Sequence, residues 1–316
     1  MGAVRRTDPA EPRLPGPDEP PLPTLAGRLV DTGTYRLHVR RTSNATRRGS
    51  ARAVYVHGLA GSSLNWTDLM HLLAPALPGM AVDLPGFGLS EAPPDHDYSL
   101  TSHTAAVAAL IEAEGGGPVH LFGNSLGGAV SVRLAVERPD LVRSLTLISP
   151  ALPVFRLKWT NLHMPLMLLP GLPGVLFRLP PASTPDARAE LFISLCWADE
   201  SRLHPDRRAE VVAEVRHREG FEHTDRAYVD SLRGLASGFV ARGEGNLWSY
   251  AARVERPTLM VFGRRDKLID VSIAERAGRT IRDSQLVILD DVGHAAQMEA
   301  PDVVARLVRT RLTDPA

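Results

Sequence analysis

The residue types and spacing that most directly suggest chemistry are Gly123-Asn124-Ser125-Leu126-Gly127-Gly128. The segment follows an apolar run over 119–122 and precedes a helical pattern over 126–137. A G-x-S-x-G step between a strand and a helix is a nucleophile elbow. So tight a reversal holds Ser125 in a strained backbone conformation, and Gly123 and Gly127 carry no Cβ to strike neighbouring backbone. The turn also sets the Ser125 hydroxyl at a helix start, where unpaired N–H groups and the helix dipole favour developing negative charge. The alternative is a glycine-rich turn that only packs a helix onto a sheet.

A hydroxyl is a weak nucleophile without a base. Behind such an elbow the partners follow in the order acid, then histidine. Phe262-Gly263-Arg264-Arg265-Asp266 supplies an acid just past one apolar run, and Asp291-Val292-Gly293-His294 supplies a histidine just past the next. His294 would take the Ser125 proton, and Asp266 would fix the ring tautomer and stabilise the imidazolium. Among the other histidines, His204, His217 and His223 read as solvated, and His71 and His103 as helix residues. Asp270 reads as the cap of the following helix, and Asp290 and Asp291 as residues that orient the turn before His294. An oxyanion needs two donors. One is the backbone N–H of Leu126; the other comes from the loop His57-Gly58-Leu59-Ala60-Gly61-Ser62-Ser63, where Gly58 admits close backbone approach and the Leu59 N–H is the candidate. The His57 ring reads as structural, and Ser62 and Ser63 as candidate helix caps. Asn124, Leu166 and Leu168 are the candidate substrate-pocket residues, against the alternative that the apolar stretch 162–170 only packs a lid.

The elements that must position these groups follow from the pattern of apolar runs. Residues 28–31 and 35–41 alternate around Gly33 and predict a β-hairpin. Short continuous apolar runs at 53–56, 80–82, 119–122 and 145–148, each bounded by Gly or Pro, predict strands buried on both faces. Helical segments at 64–73, 100–112 and 126–137 lie between them, which argues an α/β fold with a parallel sheet. The alternation stops near Pro150 and returns at Pro257, with a strand over 258–262, a helix over 273–280, a strand over 286–289 and a helix over 296–312. Residues 151–253 hold no strand run and predict a helical cap over the carboxyl edge of the sheet, where open α/β sheets bind ligands. Residues 1–24 contain seven prolines and little aliphatic periodicity, and they predict a disordered arm. The core is expected over 25–150 and 254–316.

Composition narrows the function classes. The chain has 316 residues, with Lys+Arg 36 balancing Asp+Glu 36. That removes the basic footprint of a nucleic-acid binder. Lys158 and Lys267 are the only lysines. The single cysteine, Cys196, excludes an internal disulfide and reads as a small buried hydrophobe. No His, Cys, Asp or Glu cluster has metal-ligand spacing, so neither metal nor cofactor is expected. The most apolar stretch, 162–179, is broken by Pro165, Pro170 and Pro173 and is too short for an integral membrane span. With no targeting run after Arg5 and Arg6, the expected location is cytoplasmic.

Taken together, these residues resemble the α/β-hydrolase superfamily, in its serine-nucleophile, esterase- and lipase-like members. The resemblance lies in His57-Gly58 with Trp66 after it, the run Asp83-Leu84-Pro85-Gly86-Phe87-Gly88-Leu89-Ser90, the elbow, Gly263-Arg264-Arg265-Asp266, and Gly293-His294 followed by Glu299-Ala300-Pro301. It covers about residues 28–150 and 254–316; residues 151–253 match only by position, where the family places its lid. It implies an α/β-hydrolase fold, a mostly parallel sheet flanked by helices with a helical cap insertion. Haloalkane dehalogenases and epoxide hydrolases of this fold carry Asp at the elbow. Ser125 supports an acyl-enzyme instead, and hence cleavage of a small-molecule or lipid-like carboxylic ester or thioester. Asn124 resembles the carbon–carbon bond hydrolases that act on vinylogous diketones, but Leu59-Ala60-Gly61 and Ala295 depart from the Gly-Pro-rich loop and the Trp usual there. Cofactor-free perhydrolases share the triad. Non-catalytic, ligand-binding members normally lack a triad residue, and all three are present here.

Overall fold

The short apolar runs become strands whose alternate side chains feed two separate cores. In β3 (Ala53–Val56), Val54 and Val56 enter one cluster while Ala53 and Tyr55 enter the other. In β7 (Thr258–Gly263), Met260 and Phe262 face the first, and Leu259 and Val261 the second. Strand side chains alternate between faces, so a sheet covered on both sides needs an unbroken apolar run, and that is what the sequence supplies.

These assignments come from a computed structural model, which describes residues 20–45, 47–153, 164–169, 171–176 and 184–313. The remaining strands are β1 (Gly27–Asp31), β2 (Arg36–Arg41), β4 (Gly79–Val82), β5 (Val119–Asn124), β6 (Val142–Ile148) and β8 (Ser284–Leu289). They form one eight-stranded sheet in the order β1-β2-β4-β3-β5-β6-β7-β8. β1 and β2 form the antiparallel hairpin, β2 runs antiparallel to β4, and the strands from β4 to β8 are parallel. On one face α1 (Thr67–Leu73) packs with the C-terminal helix Pro301–Thr313; on the other lie α2 (Leu100–Ala113) and α3 (Leu126–Glu137).

Between β6 and β7 the described residues are helical: α4 (Met164–Met167), α5 (Leu172–Leu176), α6 (Pro185–Cys196), α7 (Pro205–Arg218), α8 (Thr224–Val240) and α9 (Leu247–Ala252). The expected boundary at 253 lies just past α9. Leu247, Trp248 and Ala251 of α9 join the main core against α3, so this helix belongs to the body of the fold. After β7 come α10 (Ile273–Thr280), α11 (Ala296–Glu299) and α12 (Pro301–Thr313). The single helix expected over 296–312 is therefore broken. Ala300 sits at φ −142°, ψ 53°, because a residue before proline is pushed out of the helical region.

The inner end of the expected N-terminal arm makes contacts with the body of the fold. Arg207 on α7 donates to Leu22 O at 2.6 Å, Thr24 Oγ1 donates to Glu210 Oε1 at 2.7 Å, and His71 Nε2 lies 2.8 Å from Pro23 O. Residues 22–24 are thus bonded to α7 and α1, because a guanidinium and a carboxylate on α7 supply partners that composition could not reveal. Residues 1–19 of the expected arm lie outside the described residues.

Candidate active site

Each candidate catalytic side chain stands just past the carboxyl end of a parallel strand. Ser125 follows β5, Asp266 follows β7, and His294 follows β8. Ser125 has φ 53° and ψ −116°, a left-handed conformation that costs a non-glycine residue about 1–3 kcal/mol. Its neighbours hold it there. The Ser125 N–H donates to Ile148 O at 3.1 Å, and Ser125 O accepts from Ala151 N at 2.9 Å and from Ala129 N at 3.1 Å. Gly127 makes the turn possible, since a Cβ there would collide with the carbonyls of Val56 and His57 at the end of β3.

His294 and Asp266 meet directly, with His294 Nδ1 2.9 Å from Asp266 Oδ2. Both are almost fully covered. The other carboxylate oxygen, Oδ1, accepts the N–H groups of Leu268 at 2.7 Å and Ile269 at 2.8 Å. Burial by itself would raise the Asp266 pKa. The His294 charge, its hydrogen bond and the two loop N–H groups outweigh burial and hold it below the ordinary value. Asp266 is therefore an acceptor towards Nδ1, which places the proton on Nδ1 and leaves Nε2 as the basic nitrogen. Asp270 accepts from Ser272 N at 2.9 Å ahead of α10. Asp290 and Asp291 pair with Arg264 and Arg265.

The loop after β3 is fixed by the His57 ring. Nε2 accepts the Leu84 N–H at 2.9 Å, so Nδ1 carries the proton and donates to Gly58 O at 2.7 Å. Gly61 N donates to the same carbonyl at 3.0 Å. Because the peptide is planar and trans, holding Gly58 O fixes the opposite direction of the Leu59 N–H. Burial pushes His57 down to about 4, which keeps the ring neutral in this role. Gly58 itself lies close to the elbow, since a Cβ there would fall 3.0 Å from Ser125 Cβ. The Leu126 N–H occupies the first position of α3, where no preceding turn offers it a carbonyl. Ser62 caps the 3-10 turn Ser63–Trp66 in a reciprocal box with Asn65.

The amide nitrogen of Asn124, a candidate pocket residue, donates to Ile148 O at 3.0 Å and to His294 O at 3.3 Å. Its side chain is a brace between β6 and the histidine loop. Leu166, another candidate pocket residue, is 44% exposed. Leu168 is half-buried, and its carbonyl lies 3.5 Å from Arg233 Nη2 on α8. A cleft lined in part by Asn65, Asp68, Trp197, Arg207, Gln297 and Met298 lies elsewhere, and none of Ser125, Asp266 and His294 lines it. Sequence reasoning missed α7 as a neighbour of the loop after β3. Ser62 Oγ donates to Glu214 Oε2 at 2.6 Å, and Arg218 Nη1 donates to Ala60 O at 3.1 Å. Burial raises the Glu214 pKa against the opposing pull of Arg218. The i, i+4 spacing of these two residues was the available signal, but nothing in it says which loop the pair would reach. Cys196 is buried, and burial pushes its thiol up, which keeps it protonated. Among the described residues no group of His, Cys, Asp and Glu could hold a metal ion, and no helix is long and apolar enough to cross a membrane.

A family model described as alpha/beta hydrolase family matches residues 53–307. The chain belongs to the alpha/beta hydrolase family. It is 30% identical over 279 residues to the lipase LipV of Mycobacterium tuberculosis, covering 87% of this chain and 97% of that one. It is 28% identical over 259 residues to a 2-hydroxy-6-oxo-2,4-heptadienoate hydrolase of Pseudomonas putida, covering 81% and 86%. Its alpha/beta-hydrolase fold superposes on the 2-hydroxy-6-oxo-6-phenylhexa-2,4-dienoate hydrolase of Rhodococcus sp. strain RHA1 with a TM-score of 0.74 at 21% identity, over 92% of this chain and 99% of that one.

Proposed function

We propose that this alpha/beta hydrolase cleaves a carboxylic ester or thioester through an acyl-enzyme on Ser125. The observation that carries the reading is the buried 2.9 Å contact of His294 Nδ1 with Asp266 Oδ2, at the ends of the strands two and three places along the sheet from a serine held at positive φ. In this reading His294 Nε2 removes the Ser125 proton as Oγ attacks the carbonyl. The Leu59 and Leu126 N–H groups take the oxyanion. His294 then returns the proton to the leaving alcohol, and water repeats the sequence to release the acid. The likeness to a lipase at 30% identity supports ester cleavage.

Titration with a serine-reactive phosphonate tests the nucleophile. One equivalent should be incorporated, and peptide mass spectrometry should locate it on Ser125. Ser125→Ala should lose ester hydrolysis by at least about 10⁴-fold, in line with the loss when a triad nucleophile is removed, while its melting temperature stays near wild type. Retention of a tenth of the activity in a clean preparation would remove Ser125 from this role.

The second reading is hydrolysis of a carbon–carbon bond in a vinylogous diketone, favoured by the Pseudomonas relative at 28% identity. A panel of activated esters of increasing acyl length, run beside such a diketone, separates the two. Higher kcat/KM on the diketone than on every ester would replace the first reading with the second.

A further inference from the structure

The end of α6 and the turn after it, residues 194–199, lie against both loops that carry the His294–Asp266 pair. Cys196 O accepts the N–H of His294 at 2.9 Å and of Ala295 at 3.2 Å. The Glu299 carboxylate, at the end of α11, is buried and accepts three backbone N–H groups. Oε2 takes Gly293 N at 2.7 Å and Ala198 N at 3.0 Å, and Oε1 takes Asp199 N at 3.0 Å. Arg202 Nη1 lies 3.5 Å from Oε1. On the opposite side Lys267, next to Asp266, donates to Ser194 O at 2.6 Å and Trp197 O at 2.7 Å. A cation is favoured at those terminal helix carbonyls. The contact is close at Gly293, where a Cβ would fall 2.6 Å from Ala198 N and 2.7 Å from Cys196 O. Ile193, Cys196, Trp197 and Ala295 form an apolar cluster here.

We propose that Glu299 and Lys267 are positioning residues, which set the His294–Asp266 geometry by gripping the 194–199 turn from the histidine side and the acid side. The inference rests on the reading of Ser125, Asp266 and His294 as the reacting set. The residue types fit the task. Both Glu299 oxygens face N–H donors, so a glutamine would turn an NH₂ group towards a backbone donor in either orientation. A buried donor would then lack its acceptor. The two carbonyls at Lys267 converge on one point, which an ammonium with three rotatable donors serves better than a planar guanidinium. Lys267 is one of two lysines among 36 Lys and Arg.

The experiment compares wild type, Glu299→Gln and Lys267→Met in the full-length protein. It measures the rate of phosphonate labelling at Ser125, kcat and KM on one activated ester, melting temperature, and the low-field proton resonance of His294 Nδ1–H. Both variants should label about tenfold to a hundredfold more slowly, the loss expected of a reacting group misplaced by about 1 Å. KM should stay within about twofold, as for an interaction felt in the transition state. The Nδ1–H resonance should move or broaden. Should Glu299→Gln not fold, Lys267→Met carries the same readouts alone. Folded variants that label at the wild-type rate with an unmoved resonance overturn the inference while leaving the serine reading intact. Wild type that does not label at Ser125 overturns that reading and this inference with it.

Discussion

Asp266 shows how one side chain can be read down to its two oxygens. Oδ1 is committed to the N–H groups of Leu268 and Ile269, and Oδ2 faces His294 Nδ1. An asparagine at 266 cannot exchange its ends, because only its oxygen can accept from the two loop N–H groups. Its NH₂ must then point at Nδ1, which forces the proton to Nε2 and leaves the base on the wrong nitrogen. Asp266→Asn should therefore keep the fold and lose about 10⁴-fold in kcat, the loss a serine-protease triad shows for this change. Steady-state kinetics with a melting curve checks it; a loss under tenfold would show that Asp266 does not set the tautomer. The position of Ser125, Asp266 and His294, each just past the end of a strand, was legible from the apolar runs that precede them. The partner of Asn124 was not, since an amide beside a nucleophile serves equally as pocket wall or backbone brace.

Helix α7 carries more than its solvated sequence suggests. Its inward residues hold the loop after β3 through Glu214 and Arg218, and its first two turns hold Leu22 and Thr24 through Arg207 and Glu210. Deleting residues 1–24 therefore removes partners that deleting 1–19 leaves in place. The shorter deletion serves as the reference. The longer one should melt about 2–5 °C lower than the shorter, given about 1 kcal/mol for each lost hydrogen bond in a domain of this size. Differential scanning calorimetry of the two truncations decides it, and equal melting temperatures would show that these contacts contribute nothing. The strands were readable as elements because two-sided burial demands unbroken apolar runs. The docking of the arm was not, because Pro-rich composition says how poorly a segment folds alone and nothing about a partner waiting on another helix.

The buried histidines couple the stability of the whole fold to pH. His57 and His103 are enclosed, and burial pushes them down to about 4 and about 3; burial also takes His120, beside Arg143 and Arg52, to about 4. In the unfolded chain each takes up a proton below about pH 6.5. The folded chain keeps them neutral further down, so the unfolded state binds more protons between about pH 6.5 and about pH 4. Stability is full above that window and falls as pH drops through it. His57 and His103 each contribute a slope of up to about 1.4 kcal/mol per pH unit, and His120 less because solvent reaches it. Urea unfolding near pH 7.5 and near pH 5 should differ by several kcal/mol. Equal unfolding free energies at the two pH values would rule out neutral burial of these rings.

The sequence by itself determined the order of elements, the strand–turn–helix at Ser125, and the placing of an acid and a histidine at the ends of later strands. These depend on periodicity, on glycine placement and on residues a few positions apart, all of which are local. Tertiary structure alone decided what holds those residues in place: the Gly58 carbonyl fixed by His57, the loop after β3 beneath α7, and the 194–199 turn between Glu299 and Lys267. Each joins residues far apart in the chain through backbone groups, and a backbone N–H or C=O is the same at every position. A sequence marks the side chain that makes such a bond, and only the folded chain shows which N–H or C=O it meets.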